Sequence, residues 1–229
     1  TTPSGDLVAM VHCNNCTSDL NAWVGLFGEF AENIGVEVDT EKLFHTLYSK
    51  ALEGDPDCGG LLAYNYFSGE HITGFNEGRP LFVRSPESKF NLANFMRVHL
   101  YTAFGALKTG MDILLKKEGV TLDHMMGHGG MFKTKGVGQR ILAGAINTPV
   151  YVMKTAGEGG AWGIALLADY LIRKKERESL TDYLAKEVFR EAQSFRVNPV
   201  PEDVKGYEKF MENYKKGLTI ERTAVETGI

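Results

Sequence analysis

The sequence predicts an α/β fold, in which helices alternate with short buried strands. Two patterns carry this reading. Apolar runs too short for helices recur between longer segments of helical periodicity. Two of those runs end in glycine-rich turns that lead straight into a helix. The 26 glycines agree with it, because they gather at 127–130, 136–138 and 157–163, where a chain turns sharply or approaches a ligand closely.

Residues 6–13 (DLVAMVHC) form an apolar run between Pro3-Ser4-Gly5 and Asn14-Asn15, and read as a buried strand. Thr17 or Ser18 is placed to cap a helix in which Trp23, Leu26, Phe27 and Phe30 recur at helical spacing; Trp23, Phe27 and Phe30 read as core. Residues 39–52 read as a second helix, stopped by Gly54-Asp55-Pro56. Residues 59–67 (GGLLAYNYF) read as a short aromatic strand and 68–86 as a loop. Residues 91–118 carry the strongest helical pattern, with Leu92, Phe95, Met96 and Val98 starting an apolar face that continues through Phe104, Leu107, Met111 and Leu114. Lys116, Lys117 and Gly119 suit its C-terminal end.

A brief strand at 122–126 runs into Gly127-His128-Gly129-Gly130, followed by a helix over 137–146 and a strand over 149–153. Ala156-Gly157-Glu158-Gly159-Gly160 then opens a helix to about 173. The charge run 173–178 reads as a solvated face. Helices at 181–192 and 202–216 complete the pattern, before a frayed end.

Composition bounds the function. At 229 residues, 43% hydrophobic and 24% charged, the chain is an ordinary soluble domain, read as one unit over 1–229. A net charge of -4 and the lack of a basic patch give no footing for nucleic acid or an anionic membrane. No run reaches the roughly 20 apolar residues of a membrane span. The start lacks the basic, apolar pattern of a signal peptide and has no Met, which suggests a truncated chain. Three cysteines argue against a disulfide framework and for a reducing, cytoplasmic setting.

His12-Cys13-Asn14-Asn15-Cys16 contains a CxxC, with Cys58, His124 and His128 as the remaining candidate metal ligands. A zinc site usually needs a second ligand pair. The expectation is therefore no metal site, with thiols at a strand end.

The glycine loop at 127–130 presents bare backbone amides ahead of a helix, the physical requirement for holding a phosphate or nucleoside. Gly157-Glu158-Gly159-Gly160 repeats the design after the next strand, so that two turns can wall one nucleotide slot. Neither loop matches a P-loop or a dinucleotide fingerprint. Tight helix–strand packing alone is the competing explanation. Within the loop, His128 reads as a half-exposed residue rather than a phosphate contact, and Trp162 as core rather than a nucleotide flank.

Several segments resemble the FGGY carbohydrate kinases, the ribulokinase and xylulokinase branches above all. Gly129-Gly130-Met131-Phe132-Lys133-Thr134-Lys135, with Gln139-Arg140-Ile141-Leu142-Ala143 and Thr148-Pro149-Val150, resembles the adenosine-binding segment of that family. The stretch 161–168 resembles the helix that follows, 66–71 the "YLSGER" segment, and 97–107 the long "RAxLEGxAFAL" helix. The four appear in the family's order over roughly residues 59–173.

The resemblance implies an actin-like (ribonuclease H-like) ATPase domain with a mixed five-stranded sheet flanked by helices. It implies the C-terminal half of a kinase that uses ATP and Mg²⁺ to phosphorylate a ketose or polyol. The general base, an Asp, and most sugar contacts would lie in an N-terminal domain that this sequence does not contain. The partners implied are that domain and a small sugar, and the resemblance is compatible with a homodimer.

The expected nucleotide site comprises Gly127, Gly129, Gly130, Met131, Lys133 and Lys135 of the first loop and Gly157, Gly159 and Gly160 of the second. Asn14, Asn15 and Glu70 are candidates for the substrate cleft, with loop anchoring the favoured role for Glu70. The chain departs from the family at Gly144, where the family usually has Asp, and at Lys135, which aligns with an Asn that often reads adenine. It departs again at Tyr101, which stands where the long helix usually has an acid.

Overall fold

A computed structural model describes residues 1–154 and 159–228, and the α/β class holds. The single five-stranded sheet does not. β1 (Leu62–Asn65) and β2 (Pro80–Val83) pair antiparallel as a separate ribbon, with Leu62 opposite Val83. β3 (Met125–Gly127) and β4 (Val150–Met153) are parallel, and β5 (Ser194–Val197) adds antiparallel to β4 with Val197 opposite Val150. The described residues thus form a two-stranded and a mixed three-stranded sheet.

Residues 6–13, expected as a strand, are extended without strand pairing. Leu7 and Met10 are 92% and 81% exposed. A strand needs a ladder partner for its amides and carbonyls, and no described strand lies beside this segment. Val11 and Cys13 are partly buried; Val11 packs against Gly110, where a Cβ would come within 2.4 Å of Val11 Cγ1.

α1 (Ser18–Asn33) starts after Thr17, whose side chain makes no capping bond. Its buried stripe is Leu20, Val24 and Gly28, and Gly28 is small enough to let Leu43 of α2 (Thr40–Lys50) approach. Two of the three expected aromatic core residues, Trp23 and Phe27, are partly buried against the hydrophobic core. Phe30 is 63% exposed and falls outside the stripe. α2 begins at Asp39, whose carboxylate accepts the Lys42 amide at 3.1 Å, a contact worth about 1 kcal/mol.

The expected helix over 91–118 is three pieces. α3 (Leu92–Thr102) is capped by Asn91, whose Oδ1 accepts from the Asn94 amide at 2.9 Å. α4 (Gly105–Asp112) follows a break at Phe104, and Ile113–Lys117 winds as a π turn. At the break the Tyr214 ring presses on Gly105, where a Cβ would lie only 2.8 Å from it. The apolar periodicity survives the break, which is why the pattern alone reads as one helix.

α5 (Val137–Ile146) ends on Asn147 in the left-handed conformation at φ 54°, a common helix stop. α6 (Gly159–Arg173) and α7 (Leu180–Tyr183) follow, the latter running into a π turn at Leu184–Val188. The expected helix 181–192 is therefore cut short, and the chain then pairs with β4 as β5. α8 (Pro201–Thr227) is longer than expected and carries Tyr207, Phe210, Met211 and Tyr214 into the core. Burial of each such side chain contributes about 1.5–3 kcal/mol. Tyr64 Oη donates to the Tyr214 carbonyl at 2.6 Å, and the Tyr66 and Tyr214 hydroxyls meet at 2.6 Å. One core runs through α1, α2, β1, α3, α5 and α8.

Candidate functional site

The first glycine loop sits between β3 and α5, and its glycines divide by what surrounds them. Gly127 ends the strand under the Phe132 ring, which would lie 2.7 Å from a Cβ there. Gly138, in the first turn of α5, admits the Met131 carbonyl, which a Cβ would meet at 2.5 Å. These two allow the loop to fold back on its own base. Gly129 has φ 99° and ψ -179°, a region essentially confined to glycine. Gly130 is exposed, and a Cβ there would meet nothing within 4 Å.

Gly130, Lys133 and Thr134 line a cavity of about 730 Å³. Its opposite walls are Thr17 and Asn21, one turn apart on the start of α1, and the α2 face carrying Phe44, His45 and Tyr48. Lys133 is exposed, and its side-chain ammonium makes no ion pair or hydrogen bond among the described residues. Tyr48 is 3% exposed, and burial, followed by the neighbouring Cys16 thiol, pushes its phenol well above the ordinary range. It therefore stays neutral and lines the cavity behind Phe44, 5.7 Å away between ring centres.

The other candidate residues lie around this cavity or apart from it. Met131 is buried beneath the loop at 5% exposure. Lys135 points away: its Nζ lies 4.7 Å from the Phe195 ring centre, in a separate hollow of about 350 Å³. Gly160 shares a third, apolar hollow of about 620 Å³ with His128 and Trp162. Gly159 begins α6, and Gly157 lies outside the described residues. Among the described residues, then, the second loop does not line the first cavity.

Asn14, Asn15 and Glu70 are brought together in one corner just ahead of α1. Glu70 is fully buried, and its Oε2 accepts from the backbone amides of Asn14 and Asn15 at 2.9 and 3.2 Å. The Asn15 amide donates to the same oxygen at 3.2 Å, while its Oδ1 accepts from the Phe67 and Ser68 amides. Asn14 Nδ2 donates to the Gly69 carbonyl at 2.8 Å. The corner sets where α1 begins, and so where Thr17 and Asn21 face the cavity. Further along α1, Trp23 Nε1 donates to Asp19 Oδ2 at 3.2 Å. His99 Nδ1 of α3 is 3.1 Å from that oxygen, within ion-pair reach but outside hydrogen-bond geometry.

Among the described residues, no three His, Cys, Asp or Glu side chains converge as metal ligands. Burial, then the charges of Glu70 and Cys16, push the Cys13 thiol up to about 11, which disfavours the thiolate that a metal requires. Cys58 is fully buried elsewhere in the core.

The α2 wall escaped the sequence reading. Its one signal is the i, i+4 spacing of Phe44 and Tyr48, matched by Thr17 and Asn21 on α1, which puts each pair on one helix face. Nothing in that spacing says that both faces meet the glycine loop.

The fold is α/β, with a cavity beside the glycine loop that follows β3. The profile of the FGGY family of carbohydrate kinases, C-terminal domain, matches residues 1–172, and the chain belongs to that family. Among solved structures it is similar to a ligand-bound xylulose kinase from Lactobacillus acidophilus (TM-score 0.63, 17% identity, 89% of this chain and 38% of that one). It is also similar to a gluconate kinase from the same organism (TM-score 0.60, 18% identity, 84% and 37%). A glycerol kinase from Plasmodium falciparum, solved with ADP, is a third (TM-score 0.56, 20% identity, 87% and 37%). At these identities the likeness is one of fold, and the chain spans under two-fifths of the length of each of these kinases. No curated protein sequence matches the chain. No described helix is long and apolar enough to cross a membrane.

Proposed function

We propose that residues 1–229 are the nucleotide-binding, C-terminal domain of a two-domain kinase. The whole protein would transfer the γ-phosphate of ATP to a hydroxyl of a ketose, a pentulose such as ribulose or xylulose, or of a polyol. The observation that carries this reading is the cavity of about 730 Å³ on which Gly130, the unpaired Lys133 and the aromatic face of α2 converge. Its size is within the range of small-molecule sites, and it combines apolar surface with a few polar groups.

On this reading Gly129 and Gly130 leave room for the ribose and α-phosphate, and Lys133 supplies a mobile point charge to the phosphates. Phe44 and Tyr48 give the base a π surface. Phosphoryl transfer asks the protein mainly for positioning and charge neutralisation. This domain would contribute both, while the base that deprotonates the sugar hydroxyl would come from the N-terminal domain. Closure of the two domains would align the reactants and exclude water. Mg²⁺ would arrive with ATP. The oxygen donors at the cavity, Asp39 and Glu41 at the start of α2, do not form a dedicated cage for it among the described residues.

A second reading keeps the fold and drops the sugar chemistry: a nucleotide-binding ATPase or sugar-sensing module. ADP release by the full-length protein, measured with ATP and Mg²⁺ over a panel of ketoses and polyols, separates the two. Sugar-dependent turnover is expected from the full protein and none from the 229-residue chain alone. ATP binding with no turnover on any sugar would favour the sensor. Lys133→Ala is expected to weaken ATP binding about 10-fold or more, the worth of one charge-assisted hydrogen bond. A folded Gly130→Trp variant that binds ATP as tightly as the wild type would overturn the loop assignment.

A further inference from the structure

The glycine loop is tied down from beyond the part of the chain that the family profile covers. That match ends at residue 172, yet both polar tethers at the start of α5 join it to later residues, Phe195 and Asp203. The first is Gln139, itself 1% exposed. Its Oε1 accepts from the Gly136 amide at 3.1 Å, at the loop's exit, and its Nε2 donates to the Phe195 carbonyl of β5 at 2.8 Å. The second is Asp203, in the first turn of α8 and 4% exposed. Its Oδ2 accepts from Arg140 Nε of α5 at 2.6 Å, and its Oδ1 from Arg97 Nη2 of α3 at 2.5 Å.

Arg97 is anchored independently. It is 1% exposed and also donates to the Tyr101 hydroxyl at 2.9 and 3.1 Å and to the Gly54 carbonyl at 3.2 Å. Asp203 therefore ties Arg140 of α5 to an arginine of α3 that is anchored independently. Arg140 is two residues beyond Gly138, on which the Met131 carbonyl rests. A rotation or shift of the first turn of α5 would carry Met131 with it, and with Met131 the neighbouring Gly130 and Lys133. Room for the carboxylate is left by Gly144, where a Cβ would already lie 3.2 Å from Asp203 Cβ.

We propose that Asp203 is a positioning residue for the glycine loop: through Arg140 it fixes the first turn of α5, and so the placement of Gly130 and Lys133 in the cavity. The link to nucleotide affinity rests on the function proposed above; the link to loop order does not. Each guanidinium donates one bond to a different oxygen of the carboxylate, so Asp203 bridges the two arginines by directional, charge-assisted hydrogen bonds rather than by a diffuse charge effect.

Arg140→Met is the informative variant, because it cuts the loop's tether and leaves the buried Arg97–Asp203 pair intact. Asp203→Glu and Asp203→Asn grade the same contact. Tyr66→Phe removes the remote hydroxyl pair with Tyr214 and serves as a control for general loosening. In the full-length protein, amide hydrogen exchange over 127–140, ATP affinity by calorimetry, and melting temperature are measured for each.

Arg140→Met is expected to speed exchange over 127–140 and weaken ATP binding about 10-fold or more, with KM for the sugar unchanged. Tyr66→Phe is expected to lower the melting temperature without either change, and Asp203→Glu to recover part of what Asp203→Asn loses. Wild-type exchange over the loop in Arg140→Met would overturn the proposal, as would an ATP affinity that merely follows melting temperature across all four variants. Faster loop exchange in a protein whose wild type binds no ATP would leave Asp203's role standing and remove the nucleotide reading instead.

Discussion

α3 and α6 are both strongly apolar helices, and they end in opposite circumstances. α3 buries ten of its eleven residues, Arg97 and His99 among them. In α6 no residue from 160 to 173 is buried, and Ile164, Leu171 and Ile172 are each more than two-thirds exposed. The difference lies in the neighbours. α3 is enclosed by α1, α2, β1 and α5, and its Asn94, Arg97 and Thr102 side chains hydrogen-bond to Asp55, Asp203 and Ala63. α6 meets Phe189 through Trp162, 5.6 Å between ring centres, and Tyr183 through Tyr170, but no described layer covers it. An apolar pattern specifies that a helix can be buried, and the surrounding elements determine whether it is.

The comparison can be broken by mutation. Tyr214→Ala, at the centre of the enclosed half, removes a ring that packs on Tyr64 and Phe210 and a hydroxyl bonded to Tyr66. A loss of about 3–5 kcal/mol is expected by denaturant unfolding. A loss under about 1 kcal/mol would mean that α8 does not organise the core. Asp203→Asn comes next, with a cost of similar order at its upper end, about 3–5 kcal/mol, because it leaves buried guanidinium charge without its counter-charge.

Acid should expose the same cluster. Burial favours the neutral form of Asp203, but the hydrogen bonds and charges of Arg140 and Arg97 outweigh it and hold the carboxyl below its ordinary value. Tyr101, whose phenol burial keeps neutral, is the other titratable neighbour on α3. Because the folded-state pKa is the lower one, the stabilisation is fully present above the unfolded value of about 3.9 and is lost as pH falls through the folded value. Unfolding between pH 5 and 2 should show this loss in the wild type and a shallower slope in Asp203→Asn; equal slopes would remove the ion cluster as the cause.

Helix caps sharpen the contrast. Asn91 and Ser179 make equivalent capping bonds, at 2.9 and 3.1 Å, to the third residue of α3 and α7. Asn91→Ala should cost about 1–2 kcal/mol of global stability. Ser179→Ala should cost less than about 0.5 kcal/mol, since α7 lies where local opening precedes global unfolding. Smallest of all, Leu171→Ala on the open side of α6 should stay within about 0.5 kcal/mol of wild type. A larger effect would show that α6 is covered in solution.

What the sequence could say follows from the range of the interactions involved. Helices capped by Asp39 and Asn91, the 137–146 helix between its glycine and Asn147, and the strand-to-helix glycine loop all rest on contacts between residues close in the chain. Their chemistry is visible as spacing, and so was the family resemblance that membership now supports. The break at Phe104 was invisible because it is made by Tyr214, over a hundred residues away. β5 was invisible because Ser194–Val197 becomes a strand only by pairing with β4. Residues 6–13 show the converse: the right composition for a strand, and no partner among the described residues.

The site divides in the same way. The sequence by itself determined that Gly129, Gly130 and Lys133 form an open loop at a strand end, because backbone freedom and side-chain type are local properties. Only the tertiary structure decided that this loop faces Phe44 and Tyr48, that Lys135 turns toward Phe195, and that Asp203 reaches Arg97 and Arg140. Those facts depend on how helices distant in sequence pack, and packing is settled by volume and partner rather than by any one segment's pattern.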